Sequence, residues 1–105
     1  MGKINRIINN AEESEKSIER YLVARVKDLN GICLKYSNPG MIGYPDRIVL
    51  LPWGVTFWVE LKSKGKHLQA IQRERISQMA NIGHIVYVCD SKEDIDDLIE
   101  AYHAV

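Results

Sequence analysis

Asp46, Glu60 and Lys62 are the residues whose types and spacing could do chemistry together. Asp46 follows Gly43-Tyr44-Pro45 and opens one apolar run, and Glu60-Leu61-Lys62 closes the next. Residues two apart in a strand share a face, so Glu60 and Lys62 point the same way. If the two runs fold back at Pro52-Trp53-Gly54, Asp46 and Glu60 meet at one open end. Hard divalent cations such as Mg²⁺ take oxygen ligands, often one or two carboxylates with waters and phosphate oxygens. A cation held there can activate water and neutralise charge building on a phosphate. The lysine can orient or help deprotonate that water, or offset charge in the transition state. The same residue types also make an ordinary salt bridge between paired strands. Two features favour the chemical reading. A Gly-Pro-rich approach to Asp46 lets backbone come close to a ligand, and three charges gather at the end of an apolar hairpin.

The elements that must position these residues are legible from periodicity. Ile18, Leu22, Val26 and Leu29 recur at helical spacing, so a helix is predicted over about Ser14 to Leu29. Ser14 is its N-cap and Asn30-Gly31 its stop. Ile32 to Ser37 reads as a short strand, and Asn38 to Pro45, with two glycines and two prolines, as a loop. Arg47 to Leu51 is a continuous apolar run, the pattern of a buried central strand. Val55 to Lys62 alternates, with Val55, Phe57, Val59 and Leu61 on one face and Thr56, Trp58, Glu60 and Lys62 on the other. A basic loop, Ser63 to His67, precedes a second helix over Leu68 to Asn81, with Ile71, Ile76, Met79 and Ala80 as contacts and Gly83 as its close. Ile85 to Cys89 reads as a buried strand. Ser91 caps a third helix whose stripe is Ile95, Leu98, Ile99 and Tyr102. The order is α-β-β-β-α-β-α, an α/β fold with a small mixed sheet flanked by helices. Residues 1–12 are polar and read as loosely attached.

At 105 residues the chain fits one domain, 1–105, with a modest core and little room for a deep pocket. The site is therefore shallow and suited to a polymer, or is completed by a second subunit. Lys plus Arg and Asp plus Glu each number 14, which argues against coating nucleic acid by charge alone. The charges are segregated, however. Residues 62–75 are mainly basic and residues 90–100 mainly acidic, consistent with holding a polyanion on one face or with two solvated helix faces. Cys33 and Cys89 lack metal-finger spacing and read as buried, reduced thiols. No run is long enough for a membrane span and no signal-peptide pattern opens the chain, so a soluble, cytoplasmic protein is expected.

Gly43-Tyr44-Pro45-Asp46, the following apolar strand, Phe57-Trp58-Val59-Glu60-Leu61-Lys62, and Leu68 to Gln72 together resemble the virus-type replication-repair nuclease family, VRR-NUC. Its signature is close to GxPD, a hairpin, (F/V)xVExK, a basic glycine loop and a helix carrying Gln. The resemblance runs from about Ser14 to the last helix. It implies a PD-(D/E)XK restriction-endonuclease-like core and Mg²⁺ or Mn²⁺ as cofactor. Asp46, Glu60 and the Leu61 carbonyl would be metal ligands, Lys62 the catalytic lysine and Gln72 the helix residue reaching the site. The family also directs a first-helix glutamate at the metal. On a helical wheel Glu15 lies about 25° from the apolar centre and Glu19 about 65°, so Glu15 is the choice and Glu19 the reserve. Lys64 and Lys66 around Gly65 depart from the shorter turn of many members. The compact length suggests a stand-alone phage or prophage form. The resemblance then implies a homodimer cutting branched DNA such as Holliday junctions.

Candidate phosphate contacts are Lys64, Lys66, Arg73, Arg75 and His67, with Lys35 and Tyr36 beside the loop to Asp46. Core packing of Tyr36 and a solvated Lys35 are the bland alternatives. Trp58 shares the site face and packs beneath it or against DNA. Trp53 anchors a partner or caps the hairpin. His84 and His103 share no ligand spacing. Two other functions stay open: a flap, nick or duplex nuclease of the same chemistry, and a non-catalytic DNA-binding or assembly module. The intact Asp46, Glu60 and Lys62 weigh against the latter.

Overall fold

The computed structural model describes residues 14–103, so the expectation for residues 1–12 lies outside the described residues. Helix α1 (Glu15–Asp28) is followed by β1 (Ile32–Lys35), β2 (Arg47–Leu51), a 3₁₀ turn (Pro52–Gly54), β3 (Val55–Leu61), α2 (Ala70–Asn81), β4 (Val86–Cys89) and α3 (Lys92–His103). The predicted order holds. The caps explain the ends. Ser14 Oγ accepts from the Ser17 amide at 3.2 Å and starts α1. Asn30, at φ 61°, stops it. Ser91 Oγ accepts from Asp94 N at 3.0 Å and starts α3. Helix α2 begins two residues later than its periodicity indicates, because Gln69 and Gln72 close a reciprocal capping box.

The four strands lie in the order β1-β2-β3-β4. Strands β1, β2 and β3 pair antiparallel and β4 runs parallel to β3, across the α2 crossover. Helices α1 and α3 cover one face of the sheet. Ile18, Leu22 and Val26 of α1 and Ile95, Leu98 and Ile99 of α3 bury against Val49, Phe57, Val59, Leu61 and Cys89. Tyr102 stacks on Phe57 at 4.6 Å between centroids. The alternation of β3 thus points Val59 and Leu61 to this core and Glu60 away from it. Among the described residues no helix is long and apolar enough to cross a membrane.

The other face differs from expectation. The pairing register lines up Ile32, Leu50 and Thr56 in one cross-strand row and Leu34, Ile48, Trp58 and Val86 in the next. Only α2 lies over this face, buried through Met79, with Ile71 and Ile76 half-buried and Ala80 exposed rather than packed. A helix about 10 Å wide spans about two strands spaced roughly 4.8 Å apart. Ile32 and Leu34 on β1 therefore stay 57% and 45% exposed. For the same reason β2 is fully buried only at Val49. Ile85 and Val88, in the run that reads as a buried strand, are exposed at the opposite edge of the sheet, where β4 has a neighbour on one side only. Both cysteines are free thiols, with Cys89 buried as expected and Cys33, near the sheet edge, only half-buried.

Gly31 follows α1 where the chain passes close under β2. A β-carbon there would meet the Leu50 carbonyl oxygen at 2.7 Å and Val26 Cγ1 at 2.9 Å. Gly31→Ala is expected to cost about 1–3 kcal/mol. It should lower the urea midpoint with an unchanged slope, and a midpoint equal to wild type would remove this steric account.

Candidate active site

The register Arg47↔Val59 sets Asp46 beside Glu60 at the open end of the hairpin. Asp46 Oδ2 accepts from the Leu61 amide at 2.9 Å, which ties its carboxylate to the strand that carries Glu60. Pro45 is buried behind it. Glu60 is 2% exposed, the one buried charged residue of the described core. Its Oε2 accepts from Gln72 Nε2 at 3.1 Å and faces Lys62 Nζ at 3.9 Å. Its Oε1 is buried with no partner among the described residues. Gln72 is oriented by the α2 cap: its Oε1 accepts from Gln69 N at 2.8 Å, so its NH₂ is the end offered to Glu60.

Burial, then the negative charge of Asp46, push the Glu60 carboxyl up to about 8. Glu15 is raised as well, by desolvation and then by Asp46, and it also senses Lys62. Glu19 turns elsewhere, pairing with Arg47 Nε at 3.2 Å. The structure thus brings Asp46, Glu60, Lys62 and Gln72 to one end of the sheet, with Glu15 within range of the Asp46 and Lys62 charges, while Glu19 is held by Arg47.

The test for a metal is the donor set. Among the described residues no group of three or more His, Cys, Asp or Glu forms a metal cage. Two adjacent carboxylates do converge here, one with a buried oxygen that has no partner among the described residues, beside the main chain of Leu61. Buried polar atoms without partners are rare and costly. Mg²⁺ and Mn²⁺ are commonly held by one or two carboxylates, with water and phosphate filling the remaining positions. The residues present fit such an ion.

The candidate phosphate contacts separate. Lys64, Lys66 and His67 are exposed on the loop before α2, where Gly65 N reaches Asp90 Oδ2 at 3.4 Å. Arg73 is exposed and donates to the Leu68 carbonyl at 3.0 Å. Arg75 braces the loop before Asp46: its Nε donates to the Ile42 carbonyl at 3.0 Å and its guanidinium lies 5.1 Å from the Tyr44 ring centre. Lys35 is exposed, in register with Arg47 on the α1 side of the sheet. Tyr36 packs edge-on against Trp58 at 5.1 Å and Tyr44 at 6.3 Å, so Trp58 lies beneath the site with Tyr36. Trp53 is 97% exposed and caps nothing. Sequence reasoning missed Asn38, Met41, Ile42 and Tyr44, which flank Asp46. The glycines and prolines around them mark a shaped loop, but not what it encloses.

No family model matches the chain. A solved structure described as a VRR_NUC domain superimposes with a TM-score of 0.78 at 32% identity, covering 84% of this chain and 96% of that one. The chain belongs to the VRR-NUC nuclease family. It is also 38% identical over 87 residues to "Putative nuclease p44" of Acyrthosiphon pisum secondary endosymbiont phage 1, spanning 83% of this chain and 92% of that protein. Both likenesses span nearly the whole of the relative. The fold that the resemblance to VRR-NUC implies is the fold of this chain.

Proposed function

We propose that this protein is a Mg²⁺- or Mn²⁺-dependent DNA endonuclease, selective for branched DNA such as Holliday junctions and active as a homodimer. The observation that carries the chemistry is the buried Glu60, whose Oε1, beside Asp46, has no partner among the described residues. Asp46, Glu60 and the Leu61 carbonyl would hold the cation, with Glu15 as the further ligand from the first helix. When bound, the cation supplies Lewis-acid activation of water and charge neutralisation at the scissile phosphate. Gln72 positions Glu60 through its hydrogen bond. Lys62 Nζ donates to the attacking water and to the phosphate oxygen on which charge grows. Lys64, Lys66, His67 and Arg73 contact the flanking backbone.

The bare rows of the sheet support the dimer. Ile32, Leu34, Ile48 and Leu50 form an uncharged patch that suits a second copy and not a polyanion. Leu34→Glu should convert the dimer to monomer in sedimentation equilibrium, and a monomeric wild type at micromolar concentration would refute the dimer. The function is tested by cleavage of a labelled four-way junction against matched duplex with Mg²⁺, Mn²⁺ or EDTA. Metal-dependent cutting favouring the junction is expected. Equal cutting of both DNAs would discard the junction preference, and no cutting under any metal would discard the nuclease.

A further inference from the structure

Beside Asp46 lies a cleft of about 270 Å³, lined by Tyr36, Asn38, Met41, Ile42, Tyr44 and Asp46 among others. It is smaller than the roughly 300–1,000 Å³ of pockets that hold drug-sized ligands, the scale of a single ring system. The charged group in its lining is the Asp46 carboxylate, so an anion would be repelled and a neutral aromatic ring would not.

The loop that forms the cleft is pinned. Tyr36 N donates to the Asp46 carbonyl at 2.7 Å and closes its base. Met41 N donates to Asn38 Oδ1 at 3.0 Å, and Asn38 Nδ2 donates to the Tyr36 hydroxyl at 3.0 Å. Arg75 holds the Ile42 carbonyl and covers Tyr44. Gly43, at φ 97°, lies so close to α2 that a β-carbon would meet Ile71 Cγ1 at 2.8 Å. On this pinned backbone Met41 and Ile42 remain 49% and 64% exposed. Single exposed apolar residues need no explanation. An adjacent pair held rigidly at the rim of a cleft that shares a residue with the candidate metal site is different, because apolar side chains of these types wedge between unstacked bases.

We propose that the cleft receives one unpaired nucleobase of the strand being cut, adjacent to the phosphate at Asp46 and Glu60, with Met41 and Ile42 separating it from its neighbour. This rests on the reading of the site as a DNA nuclease. The base is held by the shape of the cleft and by apolar contact with the Tyr36 and Tyr44 rings, which stand at 85° to each other and read no base edge. The Asn38 amide is fixed in orientation by one hydrogen bond at each end within the loop. A base that is unpaired, or that opens at a branch point where stacking is interrupted, costs less to unstack than one inside duplex, so the cleft favours it over continuous duplex.

The test is photocrosslinking with 5-iododeoxyuridine placed in turn at unpaired and paired positions around the cut, using full-length protein, with peptides mapped by mass spectrometry. Crosslinks from an unpaired position to Tyr36 or Tyr44 are expected. Met41→Ser/Ile42→Ser should reduce the preference for DNA with an unpaired base over matched duplex about tenfold in equilibrium binding, and Met41→Leu should keep it. Both side chains are exposed, so these substitutions leave the core untouched. Cutting and binding by wild type with crosslinks only outside the 36–46 loop would overturn this inference alone, as would an unchanged preference in the double variant. Failure of wild type to bind or cut any DNA would overturn the nuclease reading beneath it.

Discussion

Asp46→Asn and Lys62→Ala should each lower the maximal cleavage rate by about 10²–10³-fold, the scale of removing one electrostatic group from a transition state. Asn keeps the shape of Asp and an oxygen able to accept from the Leu61 amide, so the hairpin end stays closed. It removes the negative charge a divalent cation needs and can turn an NH₂ toward it. Asp46→Asn should therefore weaken metal affinity, read by calorimetry, as well as rate. Lys62→Ala acts differently. The lysine draws the Glu60 carboxyl down, so its loss raises that group further and shifts the rising limb of the pH–rate profile to higher pH. Gln72→Ala, which removes a positioning contact, should cost a smaller factor of about 10–100. A Lys62→Ala enzyme with wild-type rate and pH profile would show that the site chemistry is misassigned.

Without metal, the stability of the protein should fall as pH rises from about 5 to 8. The folded Glu60 carboxyl keeps its proton up to about 8, whereas a solvated glutamate loses it near 4.5. Across that window the folded state binds more protons, so this contribution is complete below the lower value and lost through the upper one. At about 1.4 kcal/mol per unit, the effect is on the order of 3 to 5 kcal/mol. The raised Glu15 acts in the same direction. A bound divalent cation needs the ionised form, so stabilisation by Mg²⁺ should grow with pH over the same range. Glu60→Gln fills the same volume and should flatten both dependences. Urea midpoints measured from pH 5 to 8, with and without Mg²⁺, decide it. A flat metal-free curve for wild type would contradict the buried, proton-holding Glu60.

The local patterns sufficed for the elements and for which face each strand residue takes. The period of β3 alone separates Phe57 and Val59 from Trp58 and Glu60. One turn at Pro52 to Gly54 then forces Asp46 and Glu60 together, so the central pair was legible in the chain. Ser14, Asn30 and Ser91 marked helix ends because capping is chemistry between near neighbours. Choosing Glu15 over Glu19 needed the wheel and the family resemblance, and it was the fold that engaged Glu19 with Arg47.

Only the tertiary structure decided how deeply Glu60 is buried, because its cover comes from α2, 12 residues along the chain at Gln72. It also turned Arg75 toward the 38–45 loop, since the Ile42 carbonyl and Tyr44 meet it across the fold. Periodicity states that a strand face is apolar, but not whether another layer covers it. One helix spans too little of four strands, so Ile32 and Leu34 remain bare. A cleft beside Asp46 is likewise a property of how a loop leans on a helix, and no spacing of residues encodes it.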